Sequence, residues 1–165
     1  MYSEYFDKMR KKYDSYRKKD TEWREKLNKV LNEKFDKETG LVRADGCARR
    51  LAIDTWMENN PEPKSPYYSG EILAMEAYEW SADIGADTVI LDEDVGSHFV
   101  PKFVGALRKA GFDSFVLTHS DVNTLDRLDD FVLEGCKLGE LVQILTAKNE
   151  PGKRSFARTG IEIIL

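Results

Sequence analysis

The apolar positions between residues 87 and 121 predict a strand, a helix and a second strand, in that order. Residues 88–91 are a short apolar run rich in β-branched side chains, which is typical of a strand covered on both faces and central in its sheet. Gly111 then ends a helix, and residues 115–117 form a second buried run. The helix between them has four inward positions, namely Val100, Phe103, Val104 and Leu107. A crossover of this length makes the two strands parallel, so their carboxyl ends share one edge of the sheet.

Two more helices and a hairpin complete an α/β domain over residues 69–165. Ser69 is the predicted N-cap of a helix whose inward residues are Leu73, Ala77, Trp80 and Ile84. Another helix, opened by Ser120 or Asp121, ends at Gly135, and residues 141–145 and 160–165 form a hairpin that adds an antiparallel edge. The predicted class is α/β (α+β), with a small mixed βαβαββ sheet flanked by helices.

The first 60 residues carry helical patterns without strands. Residues 2–19 and 21–37 each have an apolar stripe at spacings of three and four, and Thr21 is a plausible cap between them, which favours an αα-hairpin. A third helix, capped by Asp45, has four inward residues, Ala48, Leu51, Ala52 and Trp56. Proline-rich residues 61–68 predict a stiff, extended connector. We therefore expect a helical region over 1–60, followed by the connector and the domain.

Charge is distributed unevenly along the chain. The formal net charge of the whole protein is -5, which disfavours nonspecific binding to nucleic acid. Residues 1–40 hold 12 Lys and Arg against 9 Asp and Glu, a net of +3, whereas residues 41–165 hold 13 against 21, a net of -8. The two ends of the sequence therefore suit different partners.

A dense run of cations lies in the first predicted helix, where residues 8–19 contain seven Lys or Arg. Interleaved with Tyr13 and Tyr16, these cations are suited to a phosphate backbone and to stacked bases. The candidate nucleic-acid-binding residues are Lys11, Lys12, Arg17, Lys18 and Lys19. The alternative is the solvated face of an amphipathic helix with packed tyrosines.

Acidic residues dominate residues 65–101, which contain eight carboxylates and no Lys or Arg. Like charges spaced three and four apart on a helix repel each other, so such a run lowers the free energy of unfolding relative to a mixed surface. A run of anions without counter-ions indicates recognition of a basic partner, and the alternative is a plain solvated acidic face. The candidate partner-binding residues are Glu76, Glu79, Asp83, Asp92, Glu93 and Asp94.

One candidate catalytic site lies at the carboxyl ends of the two predicted parallel strands, where open α/β sheets bind ligands. The possible metal ligands there are Asp92, Asp94, Asp121, His98 and His119. Asp92 and Asp94 could hold Mg²⁺ for a metal-dependent nuclease or phosphohydrolase. No Lys, Arg or Ser stands at a fixed spacing as phosphate clamp or nucleophile. The preferred interpretation therefore assigns no catalytic residue, no metal and no cofactor.

Cellular context is inferred from the cysteines and from the apolar runs. Cys47 and Cys136 are far apart and show no metal-ligand spacing, which predicts two reduced thiols. No run approaches the roughly 18 apolar residues of a membrane span, and the first four residues do not begin a secretory signal. We expect a cytoplasmic protein, in the host bacterial cytosol.

Three runs in the carboxy-terminal half carry a family resemblance: EAYEWSADIGADTVILDEDV, FVGALRKAGFDSFVLTHSD and DDFVLEGCKLGELVQIL. They resemble a small domain of phages and integrative mobile genetic elements of Gram-positive bacteria, over residues 70–165. Proteins of this kind look like host-defence evasion factors, and some type II-A anti-CRISPR proteins, the inhibitors of Cas9, are similar in size and setting. The matching motifs are structural, so the resemblance transfers no functional residue.

The resemblance and the charge layout together predict an anti-CRISPR-like inhibitor. A Cas9-type effector holds guide and target in basic channels, which an acidic nucleic-acid mimic can occupy. The expected partner is a Cas9-type effector or its guide RNA complex, with RNA contacted by the basic amino-terminal helix. The alternatives are the nuclease or phosphohydrolase of Asp92 and Asp94 and a non-enzymatic interaction module of a mobile element.

Overall fold

A computed structural model of the protein describes residues 1–34, 46–118, 124–146 and 156–165. These residues form two compact units. The sheet unit contains residues 1–10 and 67–165, and the helical unit contains residues 11–66. The first ten residues therefore pack with the α/β part of the chain, whereas the sequence assigned them to the amino-terminal helical region.

The predicted α+β class is confirmed. The described residues form five α-helices and one four-stranded mixed sheet. The helices are α1 (Glu4–Lys34), α2 (Gly46–Asn59), α3 (Ser69–Asp83), α4 (Val100–Lys109) and α5 (Thr124–Leu133), with a 3-10 turn at Ser97–Phe99. The strands are β1 (Ile90–Leu91), β2 (Ser114–Leu117), β3 (Lys137–Thr146) and β4 (Phe156–Ile164). Both strands of the hairpin are longer than predicted.

The predicted β1-α4-β2 crossover is present, and β1 is parallel to β2. Gly85 and Gly111 follow α3 and α4 with φ angles of 76° and 82°, so both helices end where the sequence predicted. The order of strands, β1-β2-β4-β3, nevertheless corrects two expectations. β1 is an edge strand instead of a central one, and β4 lies inside the sheet between β2 and β3.

Ser81 of α3 explains why β1 is apolar although it lies at an edge. Its Oγ accepts the Ile90 N–H at 2.8 Å, lies 3.4 Å from the Ile90 carbonyl oxygen and donates to the Ala77 carbonyl at 2.6 Å. Ser81 is fully buried. A buried N–H left without an acceptor would cost about 1–3 kcal/mol, so this hydroxyl takes the place of a neighbouring strand.

The core of the sheet unit contains four fully buried phenylalanines, and three of them, Phe103, Phe115 and Phe131, pack against one another. The ring of Phe115 on β2 lies 5.2 Å from the rings of Phe103 on α4 and Phe131 on α5, in edge-to-face geometry. A smaller apolar cluster forms where β1, β2 and β3 meet the end of α3, and it comprises Ala86, Ile90, Val116 and Ile144, with Trp80, Ile84 and Val142 packed against it. The carboxyl end of β1 is therefore held firmly against α3.

The predicted αα-hairpin at the amino terminus is wrong, because residues 4–34 form one continuous helix. The expected break near Thr21 contains neither Gly nor Pro. Asp20 instead accepts a hydrogen bond from Arg24 at 2.8 Å, an i,i+4 pair that spans the position. In the helical unit, Trp23 of α1 lies 5.3 Å from Trp56 of α2, and its Nε1 donates to the Asn60 carbonyl at 2.8 Å.

Several predicted caps and inward residues also need correction. The N-cap of α3 is Tyr68, whose N–H donates to the Glu71 carboxylate at 3.0 Å, and Ser69 is the first helical residue. Of the predicted inward residues of α3, Ala77 is buried and the others are half-buried. On α2, Ala52 is buried but Leu51 is 68% exposed. The proposed caps Asp45, Ser120 and Asp121 and the turn near residue 151 lie outside the described residues.

Candidate functional site

A cleft of about 350 Å³ opens where α3 meets the carboxyl end of β1. Three carboxylates and an indole line it, together with three apolar residues: Glu76, Asp92, Glu93, Trp80, Ala77, Ile90 and Leu91. The volume falls within the range of small-molecule and side-chain binding pockets. The cleft therefore combines a concave shape with strong negative charge.

Helix and strand geometry bring these side chains together. Glu76 and Trp80 are four residues apart on α3 and thus share one face of the helix. Asp92 and Glu93 come directly after β1, where the chain leaves the core. Glu76 and Glu93 are exposed, whereas Trp80 is half-buried against the apolar cluster that contains Ile90. The indole thus forms one wall of the cleft, and the carboxylates lie beside it.

Asp92 is the most constrained carboxylate of the cleft. Its Oδ1 accepts a hydrogen bond from Thr118 Oγ1 on the neighbouring strand at 2.6 Å and lies 3.7 Å from Arg158 Nε on β4. Thr118 is buried and Asp92 is half-buried. These contacts fix the orientation of Asp92 and partly neutralise its charge.

The other predicted acidic residues lie outside the cleft. Asp94 lies 3.8 Å from Arg127 Nε. Glu79, on α3, receives two hydrogen bonds from the Arg10 guanidinium, one of them at 2.7 Å from Nε to Oε1. Asp83 is exposed on the same helix. The acidic run is therefore not without counter-ions, contrary to the expectation from sequence, because arginines distant in the chain pair with three of its members.

The proposed metal ligands are engaged in other contacts where the structure describes them. Asp92 and Asp94 contact Arg158 and Arg127, as given above. The exposed His98 lies with its ring centroid 3.9 Å from that of Phe99. His119 and Asp121 fall outside the described residues. Among the side chains that the structure describes, no group of three or more His, Cys, Asp or Glu is arranged to hold a metal ion.

The five candidate nucleic-acid-binding cations lie on α1, in the helical unit, and all are exposed: Lys11, Lys12, Arg17, Lys18 and Lys19. None of them forms an ion pair with another residue of the described part of the chain. Since seven residues make about two helical turns, the four lysines share one side of α1, and Arg17 lies off that side. Tyr13 and Tyr16 are half-buried and stack on each other at 5.9 Å, so neither ring is fully open to a base.

The two thiols differ in environment. Cys47 is exposed, whereas Cys136 is buried. Burial raises the pKa of the Cys136 thiol, and the nearby Arg108 lowers it by a smaller amount. A thiol with a raised pKa is a poor nucleophile at neutral pH, so Cys136 is a packing residue of the sheet unit.

Sequence reasoning missed the arginines that shape this surface, namely Arg10, Arg127 and Arg158. Each of them pairs with a carboxylate from another element, far away along the chain, so no local spacing signals the contact. Thr118, which directly follows β2, was missed as well. Its role in holding Asp92 depends on the parallel pairing of β1 and β2, from which a contact between the ends of the two strands follows.

Fold and cleft define a small α+β domain with an acidic, aromatic-walled cleft at the end of a parallel strand pair. Residues 73–164 match the family described as domain of unknown function DUF7698, and the protein belongs to this family. No curated protein and no solved structure matches the sequence. The matched segment includes the whole cleft but not Arg10. None of the helices in the described part is long and apolar enough to cross a membrane.

Proposed function

We propose that this protein is a non-catalytic binding module that takes a cationic side chain of a protein partner into the cleft between α3 and β1. The observation that carries the proposal is the convergence of Glu76, Asp92 and Glu93 around the indole of Trp80. Carboxylates attract a guanidinium or ammonium group, and an indole face adds a cation–π contact. Asp92 is already held by Thr118, so part of the site is pre-organised.

The size of these interactions indicates what kind of partner fits. An exposed carboxylate contributes about 0.2–1 kcal/mol to an ion pair, and an indole about 0.5–2 kcal/mol to a cation. For three carboxylates and one indole the sum is roughly 1–5 kcal/mol, which corresponds to a Kd no tighter than roughly 0.2 mM. The cleft therefore suits one anchoring residue within a larger basic surface, and it does not suit a free small cation.

A Cas9-type effector or its guide RNA complex is the specific partner that we propose. The supporting observations are the acidic cleft and the resemblance to anti-CRISPR proteins of phages and mobile elements. Such effectors present basic channels for nucleic acid, and an acidic surface competes for those channels. Inhibition would weaken as salt is raised, because salt screens exposed charges.

The arginine contacts of Asp92 and Asp94 favour this binding role over the metal-dependent nuclease. A carboxylate that already neutralises a guanidinium has less charge to offer to Mg²⁺, and the Thr118 hydroxyl occupies one lone-pair direction of Asp92. Binding of a cationic group remains possible at Glu76, which is exposed. A non-enzymatic interaction module is therefore the broader form of the proposal.

Binding of cationic side chains at the cleft is tested with a fluorescent peptide of four arginines separated by glycines. Its affinity is measured by fluorescence anisotropy at low salt. The double variant Glu76→Gln/Glu93→Gln should bind about tenfold more weakly, since each lost pair contributes up to about 1 kcal/mol. The matched control is Asp113→Asn/Asp129→Asn, which removes two exposed carboxylates outside the cleft. Equal weakening in both variants would show a general charge effect and contradict the site.

The proposal that a Cas9-type effector is the partner is tested with a purified Cas9-type complex and a DNA substrate. The protein should inhibit cleavage, and Glu76→Lys/Glu93→Lys should abolish the inhibition while Asp113→Lys/Asp129→Lys retains it. Absence of inhibition by the unaltered protein would remove the effector as partner without removing the cleft as a cation site.

The basic face of α1 is proposed to contact guide RNA in the same complex. Changing Lys11, Lys12, Lys18 and Lys19 to Gln should lower ultraviolet crosslinking to RNA and reduce the salt dependence of binding by about 0.7 per lost phosphate contact. A control with the same charge change replaces Lys64, Lys102, Lys109 and Lys137, which lie outside α1. Unchanged crosslinking in the α1 variant would rule out this contact.

A further inference from the structure

Arg10 already places a guanidinium on the acidic side of α3. Its two hydrogen bonds to Glu79 are made with both side chains largely shielded, at 29% and 36% exposure. A bidentate pair of this kind has fixed geometry and is stronger than a pair between mobile surface side chains. This contact therefore shows that the acidic side of α3 accepts a guanidinium group.

The segment that carries Arg10 is anchored in the sheet unit. Phe6 is fully buried and stacks on Tyr78 of α3 with 5.0 Å between ring centroids, and Met9 is 1% exposed. The Ser3 N–H also donates to the Tyr78 hydroxyl at 3.0 Å. Arg10 is thus presented to α3 by a packed helical turn, which fixes its position.

The pair lies one helical turn from the cleft. Glu76, which lines the cleft, and Glu79 are three residues apart on α3, so their side chains are neighbours on the helix surface. The positive charge of Arg10 reduces the negative potential that an incoming cation meets beside Glu76. It also occupies the carboxylate that would otherwise extend the acidic site along α3.

We propose that Arg10 is an internal competitor that sets the affinity of the cleft for cationic partners. This inference rests on the proposed function, because it concerns the regulation of the same site. With Arg10 in place, Glu79 is neutralised and the negative potential at the cleft is reduced. A partner that draws the Arg10 side chain away from Glu79 gains a further carboxylate, so release of this side chain and binding of a basic partner favour each other.

The test compares two variants of the full chain that change the net charge equally. Arg10→Met removes the guanidinium but keeps an apolar stem, and Lys12→Met removes an exposed cation of the same helix. Binding of the tetra-arginine peptide should become about fivefold tighter in Arg10→Met, as expected for removal of one nearby charge, and change less than about twofold in Lys12→Met. Raising the salt concentration should shrink the difference.

The outcomes separate this inference from the proposed function. Peptide binding that does not respond to Glu76→Gln/Glu93→Gln overturns the proposed function. A second outcome is that binding responds to Glu76→Gln/Glu93→Gln but changes equally in Arg10→Met and Lys12→Met. This outcome overturns the proposal for Arg10 and leaves the proposed function in place. Circular dichroism checks folding, and Arg10→Gln, which keeps a hydrogen-bond donor for Glu79, serves as a second variant. Absence of a gain in both Arg10 variants also overturns the inference.

Discussion

Phe6→Ala is expected to lower the free energy of unfolding by about 3–5 kcal/mol, the usual range for a large aromatic side chain removed from a core. The Phe6 ring is completely buried and lies between Tyr78 and Phe112, with ring centroids 5.0 Å and 6.1 Å away. No backbone rearrangement short of moving α1 would fill the space that it leaves. Urea unfolding followed by circular dichroism measures the change.

The neighbouring Tyr2 provides the control, since it is 76% exposed. Tyr2→Ala should alter the free energy of unfolding by less than about 0.5 kcal/mol. If Phe6→Ala also cost less than about 1 kcal/mol, the first ten residues would not belong to the core of the sheet unit in solution. That result would also remove the anchoring on which the Arg10 contact depends.

Gly70→Ala is the second change with a large expected effect. A Cβ at this position would lie 2.3 Å from the Phe99 carbonyl oxygen and 3.0 Å from the Phe103 backbone nitrogen, so a side-chain rotation cannot relieve the clash. The start of α3 must then move away from α4, at a cost of roughly 1–3 kcal/mol for overpacking. A thermal melt or urea titration detects this loss.

Gly105, inside α4, is the matched control for Gly70. A Cβ there would meet no atom within 4 Å. Gly105→Ala should therefore stabilise the protein by about 0.5–1 kcal/mol through the helix propensity of alanine. Opposite signs for the two substitutions confirm the close approach of α3 to α4, and equal signs contradict it.

The β1-α4-β2 crossover was predictable because every signal for it is local. Apolar runs, helical spacing and Gly111 lie within about one supersecondary unit, and the crossover rule supplies the parallel pairing. The position of β1 at the edge was not predictable in the same way. Burial of residues 88–91 resembles that of a central strand, and the covering group is a hydroxyl from α3.

In the amino-terminal region, the apolar periodicity alone does not decide how many helices form. Two apolar stripes separated by polar residues fit either two helices or one long helix, and nothing between residues 19 and 21 forces a turn. The choice depends on which neighbours the stripes find. Phe6 and Met9 pack in the sheet unit, whereas Trp23 packs on Trp56 of the helical unit.

The candidate site was predictable in part. Glu76, Asp92 and Glu93 were selected from sequence as members of an acidic run without Lys or Arg, and the structure brings them to one cleft. Trp80 was expected to point inward, and its second role as a cleft wall follows from its half-buried position. The arginine partners depend on tertiary contacts, for which a single sequence holds no signal.

The hydroxyl of Ser81 also decides how the sheet can grow. Because it occupies the outer N–H of Ile90, a strand from another molecule finds no ladder to extend along β1. Along the opposite margin, β3 runs for ten residues and pairs with β4 alone within the described residues, and Leu141 on it is 75% exposed. Of the two outer strands among the described residues, β3 is therefore the one expected to accept a strand from another molecule.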